Sequence, residues 1–546
     1  MSEKDPLTIT GGVSINQIFY SVNGIKSRRD PYSFYSSGNL NFNLYGWNIP
    51  LSFTYSNQQG SFQQPFNQFG FHPTYKWLTG HFGYSSINFS PYTLAGHIFL
   101  GAGIEATPGK FKISAMYGRL RKAVEPDTLS DNNVTPSYKR MGYGLKAGYI
   151  DGNDQIHLIL FKASDKIYSI NYVPEKEDIL PEENLVISLI GSKEVFKRIV
   201  VNAEYAISGI TRNIQSEEID LESNKIFDHV GELFTPRLSS AYYNAFNSRL
   251  TYQATNFSIG IGYERLDPGY RTLGAYYFNN DLENYTINAA TAIFGGKVNL
   301  NGNIGLQQDN LNDRKVSTMK RTVGAINIGY AASEHLNINA SYSNFTTFTN
   351  IRSQFVDINQ LTPYDNLDTL NFTQISQNAT LNANYILKNS ESKRQNLNIN
   401  VSFQDASDQQ GGIEQSSGTQ FYMMNAAYSL SLIPRNLTLT GLFNYNKNKS
   451  QNINTSTLGP TVVVSKSLFE RKMRISLSSS WNESFANGIL VNRIINVRAR
   501  GGYRIKKKHN FNLSLVVVNR EVQGENSRAF TEFTGSLGYS YNFSSK

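Results

Sequence analysis

Residues 397–404 read Leu-Asn-Ile-Asn-Val-Ser-Phe-Gln, with an apolar side chain at every odd number and a polar one at every even number. Successive side chains of an extended backbone point to opposite faces, so this spacing predicts a strand with one apolar and one polar face. The same alternation recurs on either side. Leu437, Leu439 and Phe443 alternate with Thr438, Thr440 and Asn444, and Met473, Ile475, Leu477 and Trp481 with Arg474, Ser476, Ser478 and Asn482. Phe511, Leu513, Leu515 and Val517 continue it. It also begins early, with Leu40, Phe42 and Leu44 against Asn39, Asn41 and Asn43, then Leu51, Phe53 and Tyr55.

Composition agrees with a chain spent on strands. Among 546 residues there are 33 Tyr, 33 Phe and 42 Gly, and only 17% are charged. No run approaches the roughly 18–20 apolar residues that a membrane helix needs. The mean hydropathy of −0.38 is no obstacle to a membrane barrel, whose strands alternate between lipid and an aqueous lumen. The net charge of +9 is spread out, and Lys506, Lys507 and Lys508 form one short run in a turn, so no nucleic-acid partner is expected. Cys is absent, which suits an oxidising compartment.

Connections alternate between tight and long, the asymmetry of a barrel with short turns on one rim and long loops on the other. Thirteen tight connections are read, from Gly46-Trp47 and Thr79-Gly80 to Asn487-Gly488 and Lys506 to Asn510, and they predict 26 strands. Long polar stretches fall at Glu125 to Ser137, Ile167 to Glu183, Asn213 to Leu238, Asp267 to Glu283, Asn350 to Ser376 and Asp405 to Ser417. The expected fold is all-β: a single transmembrane antiparallel up-and-down β-barrel of about 26 strands with no N-terminal plug domain. Residues 1–6 are expected as a short periplasmic segment, 7–543 as the barrel with extracellular loops, and 544–546 as a tail.

In the final strand, Phe533, Gly535, Leu537, Tyr539, Tyr541 and Phe543 share one face. Leu537, Tyr539, Tyr541 and Phe543 resemble the C-terminal signal by which outer-membrane barrels are handed to their assembly machinery, which implies that machinery as a partner. Three further stretches, Ser61 to Gly70 (SFQQPFNQFG), Ser90 to Phe99 (SPYTLAGHIF) and Gly262 to Asn280 (GYERLDPGYRTLGAYYFNN), resemble those of large outer-membrane β-barrels of the Bacteroidota. That resemblance runs along the whole chain. It implies the fold and a place in the outer membrane, with periplasmic termini, and it assigns no functional residues.

Catalytic chemistry is not legible. Seven His residues are scattered with no metal-ligand spacing, and no Cys can join them. His97 and Glu105 fall on one face but about eight residues apart, too far to touch directly. Residues 103–110 (GIEATPGK) depart from a phosphate loop in spacing and place Phe111 where a Ser or Thr would hold magnesium, so they are read as a hairpin turn. No GxSxG elbow appears. No enzyme activity and no cofactor are expected. Asp127-Thr128-Leu129 and Asp368-Thr369-Leu370 match an Asp-Thr-apolar acceptor pattern for O-glycosylation at Thr128 and Thr369.

Strand number sets diameter: eight strands leave an interior that side chains fill, 16 to 18 leave an aqueous channel, and 22 need a plug. A 26-strand lumen must therefore be closed by inward-folded loops or by another polypeptide, and Asn213 to Leu238 and Asn350 to Ser376 are the longest candidates. The expected role is a non-enzymatic subunit of a multiprotein envelope machine, for export, barrel assembly or surface-lipoprotein handling, with other envelope proteins or lipoproteins as partners. One alternative is a solute channel whose lumen is biased toward anions by Arg474, Arg498, Arg500 and Arg504. Another is a surface adhesin of stacked β repeats, which would show a fixed repeat period.

Overall fold

A computed structural model of the chain describes residues 7–57, 67–126, 136–172, 179–219, 227, 233–276, 279–313, 320–344, 377–406, 409–410, 413–414, 419–450, 453–523 and 528–544. One antiparallel sheet of 26 strands closes on itself. The first strand, Leu7–Asn23, pairs with the second, Tyr32–Leu44, on one side and with the last, Phe530–Ser544, on the other. The closing register runs from Thr10 opposite Ser544 to Asn23 opposite Thr531. Every strand is bonded on both edges, so no edge is left to lipid. The single closed sheet also disposes of a stack of repeats.

Twelve short turns lie on one rim, together with the Leu7 end of the first strand and the Ser544 end of the last, and thirteen connections lie on the other. The strand count agrees with expectation, but two of the expected turns do not. The hairpin placed at Thr79-Gly80 turns at Lys76-Trp77, because Pro73 has no N–H for the ladder and splits that strand into Gln68–Phe71 and Thr74–Tyr75. Asn487-Gly488 is tight but belongs to the long-loop rim: the Asn487 N–H donates to the Asn454 carbonyl, beside the connection after Lys449. Both its residues take positive φ, 49° and 82°, as a two-residue hairpin requires.

The alternation sorts the faces as read. Leu477, Leu513, Leu515, Val517 and Leu537 are exposed on the outside, and their even-numbered neighbours point inward. Aromatic rings mark both margins of the apolar band. Trp47 and Tyr75 stack at 4.9 Å near the short-turn rim, where Phe196 and Phe294 are also exposed. Phe19, Tyr32, Phe34 and Tyr55 form a chain of ring contacts near the other. Such paired girdles belong to a barrel that crosses a bilayer.

Candidate lumenal site

The strand Asp154–Lys166 is apolar on both faces: Ile156 and Leu158 point outward, while Ile159, Phe161 and Ala163 point inward and are buried. An inward apolar row needs a cover. Two loops supply it, and both carry stretches quoted above. Residues 87–97 and 267–276 fold into the lumen and bury Ile87, Phe89, Leu94, Tyr270 and Leu273 against Phe99, Leu120, Phe161, Val186, Ala206 and Leu266 of the wall. Each fully buried side chain of this size contributes about 1.5–3 kcal/mol.

Hydrogen bonds fasten the loops to each other and to the wall. The Ala95 N–H donates to the Gly274 carbonyl at 2.9 Å, and the Thr272 hydroxyl to the Thr93 carbonyl at 2.6 Å. The Tyr92 hydroxyl reaches Glu264 Oε1 at 2.6 Å, Lys146 Nζ the Phe89 carbonyl at 2.6 Å, and the Leu273 N–H Asn184 Oδ1 at 3.1 Å. Gly274 is needed for this approach, since a Cβ there would lie 2.5 Å from the Thr93 carbonyl and 2.8 Å from the Phe161 ring. Burial, and then the Glu264 carboxylate, push the Tyr92 hydroxyl's pKa well above its ordinary value.

Charged groups lie at the mouth of this plug. Arg140 makes paired bonds to the fully buried Asp165 at 2.8 and 2.7 Å and a third to Glu182 at 2.8 Å. Arg121 adds contacts to Asp165 at 3.1 and 3.2 Å, and Arg271 of the inward loop binds Glu182 at 2.5 Å. Arg121 faces Asp165 because the ladder shifts between Arg119 and Arg121. Planar guanidinium forks suit such shared carboxylates. His97 ends the first loop, stacked on Tyr276 at 4.0 Å. Burial, opposed by its bond to the Ile98 carbonyl and reinforced by the Arg140 and Arg121 charges, lowers its pKa to about 4.

Among the described residues, the loops that fold inward are not the two longest stretches, 213–238 and 350–376, expected to do so. Phe227 and Phe234, described residues of the 213–238 stretch, pack on Leu185 and Ile207 on the outer face of the wall. A Cβ on the outward Gly209 would meet both rings. The stretch 350–376 lies outside the described residues, as do Thr128 and Thr369.

The opposite arc of the wall is polar. Asn339, Asn382, Asn400, Asn425 and Asn444 stand opposite one another across five successive strands and face inward. Beyond this row come Arg474, Arg498 and Arg500, inward in register with Gly502, Ser478 and Ser476. Arg498 is buried, Arg474 and Arg500 are exposed, and Arg504, near the short-turn rim, donates to Asn510 at 3.2 Å. Among the described residues none of the four forms an ion pair. Glu532, on the same face of the last strand, accepts from the Tyr20 hydroxyl at 3.2 Å. In the last strand Leu537 is exposed on the outside, and Tyr539 and Tyr541 make ring contacts with Phe511 and Phe543.

Sequence reading missed the Asp165, Arg140, Glu182 and Arg121 cluster and a grouping of His72, His81 and Glu105. His81 Nε2 lies 3.0 Å from Glu105, and the His72 and His81 rings are 5.3 Å apart. Glu105 therefore pairs with His81 of the neighbouring strand, while His97 lies in the plug. Residues 107–110 form the hairpin turn expected of them.

No family model and no curated protein matches the chain. Among solved structures it is similar to the P pilus usher PapC translocation pore (11% identity, TM-score 0.41, covering 98% of this chain and 100% of that one). It is also similar to the FrpB iron transporter from Neisseria meningitidis (10%, 0.39, 98% and 82%) and to OccAB2 from Acinetobacter baumannii (9%, 0.28, 72% and 98%).

Proposed function

We propose that the chain is an outer-membrane barrel, termini in the periplasm, acting as a non-enzymatic subunit of a multiprotein envelope machine for export, barrel assembly or surface-lipoprotein handling. The observation that carries this reading is the division of the lumen. One arc is packed by the loops 87–97 and 267–276 against an apolar wall, while the facing arc carries inward asparagines on five successive strands, set among Ser, Thr and a few apolar side chains. So wide a barrel leaves room that its own wall side chains cannot fill. A second polypeptide on the polar arc, resident or passing, would complete the filling. Purification of the tagged barrel from native membranes in mild detergent tests this. Stoichiometric envelope proteins are expected; a lone monomer would refute the reading.

A solute channel is the second reading, favoured by the inward arginines without carboxylate partners. It expects the purified barrel to conduct strongly and to prefer anions, with the preference fading as screening shortens from about 10 Å at 0.1 M to about 3 Å at 1 M salt.

A further inference from the structure

Two columns of carboxamides stand on the polar arc. Asn396, Asn398 and Asn400 rise along one strand, Lys393–Ala406, and Asn444, Asn446 and Asn448 along another, Leu437–Lys449. Asn400 and Asn444 are both opposite Asn425, so the second column begins where the first ends. Each column rises about 14 Å at about 3.4 Å per residue, and the second stands two strands, about 10 Å, to the side of the first. Among the described residues none of these six side chains has a hydrogen-bond partner, and the inward positions between them carry no charge.

The spacing has a chemical counterpart. Side chains at i, i+2 and i+4 of a strand recur every 6.8 Å or so. An extended polypeptide offers, along each edge, the N–H and C=O of one residue together, then the next such pair two residues on, at the same repeat. A carboxamide has both a donor and an acceptor and can meet that pair with two bonds. A saccharide chain presents hydroxyls at a repeat set by its rings instead.

We propose that these two asparagine columns are a binding track for the backbone of an extended, uncharged polypeptide segment lying in the lumen. The inference deepens the polypeptide reading of the polar arc and rests on it. Recognition of this kind is strand addition performed by side chains. It is indifferent to sequence and hostile to charge, because the track has no counter-ion to offer a charged residue.

Fluorescence anisotropy on the full-length barrel in detergent tests the track, with three probes: a labelled twelve-residue peptide of Gly, Ser and Asn, the same peptide N-methylated at every residue, and a neutral oligosaccharide of similar mass. The plain peptide should bind, and the methylated one, lacking donors on both edges, at least about tenfold more weakly. The triple variant Asn396→Ala/Asn398→Ala/Asn400→Ala should lose a similar factor; Asn→Thr at the same positions, kinder to a strand, guards against misfolding. Equal binding of the methylated peptide, tighter binding of the oligosaccharide, an unaltered affinity in both variants, or no binding of the plain peptide would each overturn the proposal. Partner capture from native membranes is read separately: a captured partner with no peptide affinity sinks the track alone, and peptide affinity with no native partner sinks the machine.

Discussion

The Tyr270 hydroxyl donates to the Tyr92 carbonyl at 2.8 Å, joining two loops 178 residues apart in sequence, with the Tyr270 ring wholly buried. Tyr270→Phe leaves that carbonyl without its donor in a dry site, at about 1–3 kcal/mol. Tyr270→Ala removes the ring as well, at about 3–5 kcal/mol. Neither touches the ladder, so both variants should assemble with normal heat-modifiable gel mobility. In both, the 87–97 loop should become sensitive to protease, and Tyr270→Ala should be the more sensitive.

Asp165 serves two guanidinium groups at once. Asp165→Asn takes away the charge that both are paired with, and breaking a buried pair costs about 3–5 kcal/mol. Urea unfolding in lipid vesicles should show that loss, whereas Lys110→Ala, which breaks the exposed pair with Asp151, should unfold at nearly the parent's urea midpoint. Equal losses from the two would contradict the burial of the cluster.

His97 makes the plug responsive to acid. Its pKa in the fold, about 4, lies below the ordinary value of 6.5, so neutral His97 stabilises the seated loop above about pH 6.5. That contribution declines as pH falls from there and is lost on passing through 4. Protease cleavage within 87–97 should rise over this interval in the parent and stay flat in His97→Gln. A parent profile with no rise would contradict the buried, neutral ring.

Leu515 and Ser514 test the faces. Leu515 is exposed on the outside and Ser514 points inward beside Ser536. Leu515→Arg sets a guanidinium in hydrocarbon at about 2–4 kcal/mol near the midplane, while Ser514→Arg sets one in the lumen. Folding yield in bilayers should fall for the first and hold for the second.

What the sequence carried openly was periodicity. Leu397 to Phe403 or Phe511 to Val517 can satisfy two unlike environments in only one way, so strand identity, facing and strand number were all readable. Turn positions were readable at most of the tight connections, and failed at Thr79-Gly80, where the strand before the true turn at Lys76-Trp77 is interrupted at Pro73. The inward loops were hidden because they depend on tertiary contact: Tyr270 meets Tyr92, and Arg271 meets Glu182, across long stretches of sequence. Their trace was nonetheless present in Ile156 to Ala163, apolar on both faces where a lumen wall should alternate. Loop length pointed the wrong way, since the stretch holding Phe227 and Phe234 turned outward and the shorter 87–97 turned in.

The tight Asn487-Gly488 connection gives the surface an uneven texture. From Leu437 onward, the connections on that rim are Ser450 to Ile453, Asn487-Gly488 and Gln523 to Ala529, and the strands they join include one of 17 residues, Ile489–Ile505. At about 3.3 Å per residue such a strand outruns a 25 Å apolar band even when tilted by 45°. In the orientation proposed above, the described residues that project from the cell in this sector are therefore braced ladder. A molecule that grips it from outside meets a pre-set relief and has little ordering entropy to overcome. Antibodies raised against the intact protein should find here a hard, conformation-dependent epitope that vanishes on denaturation.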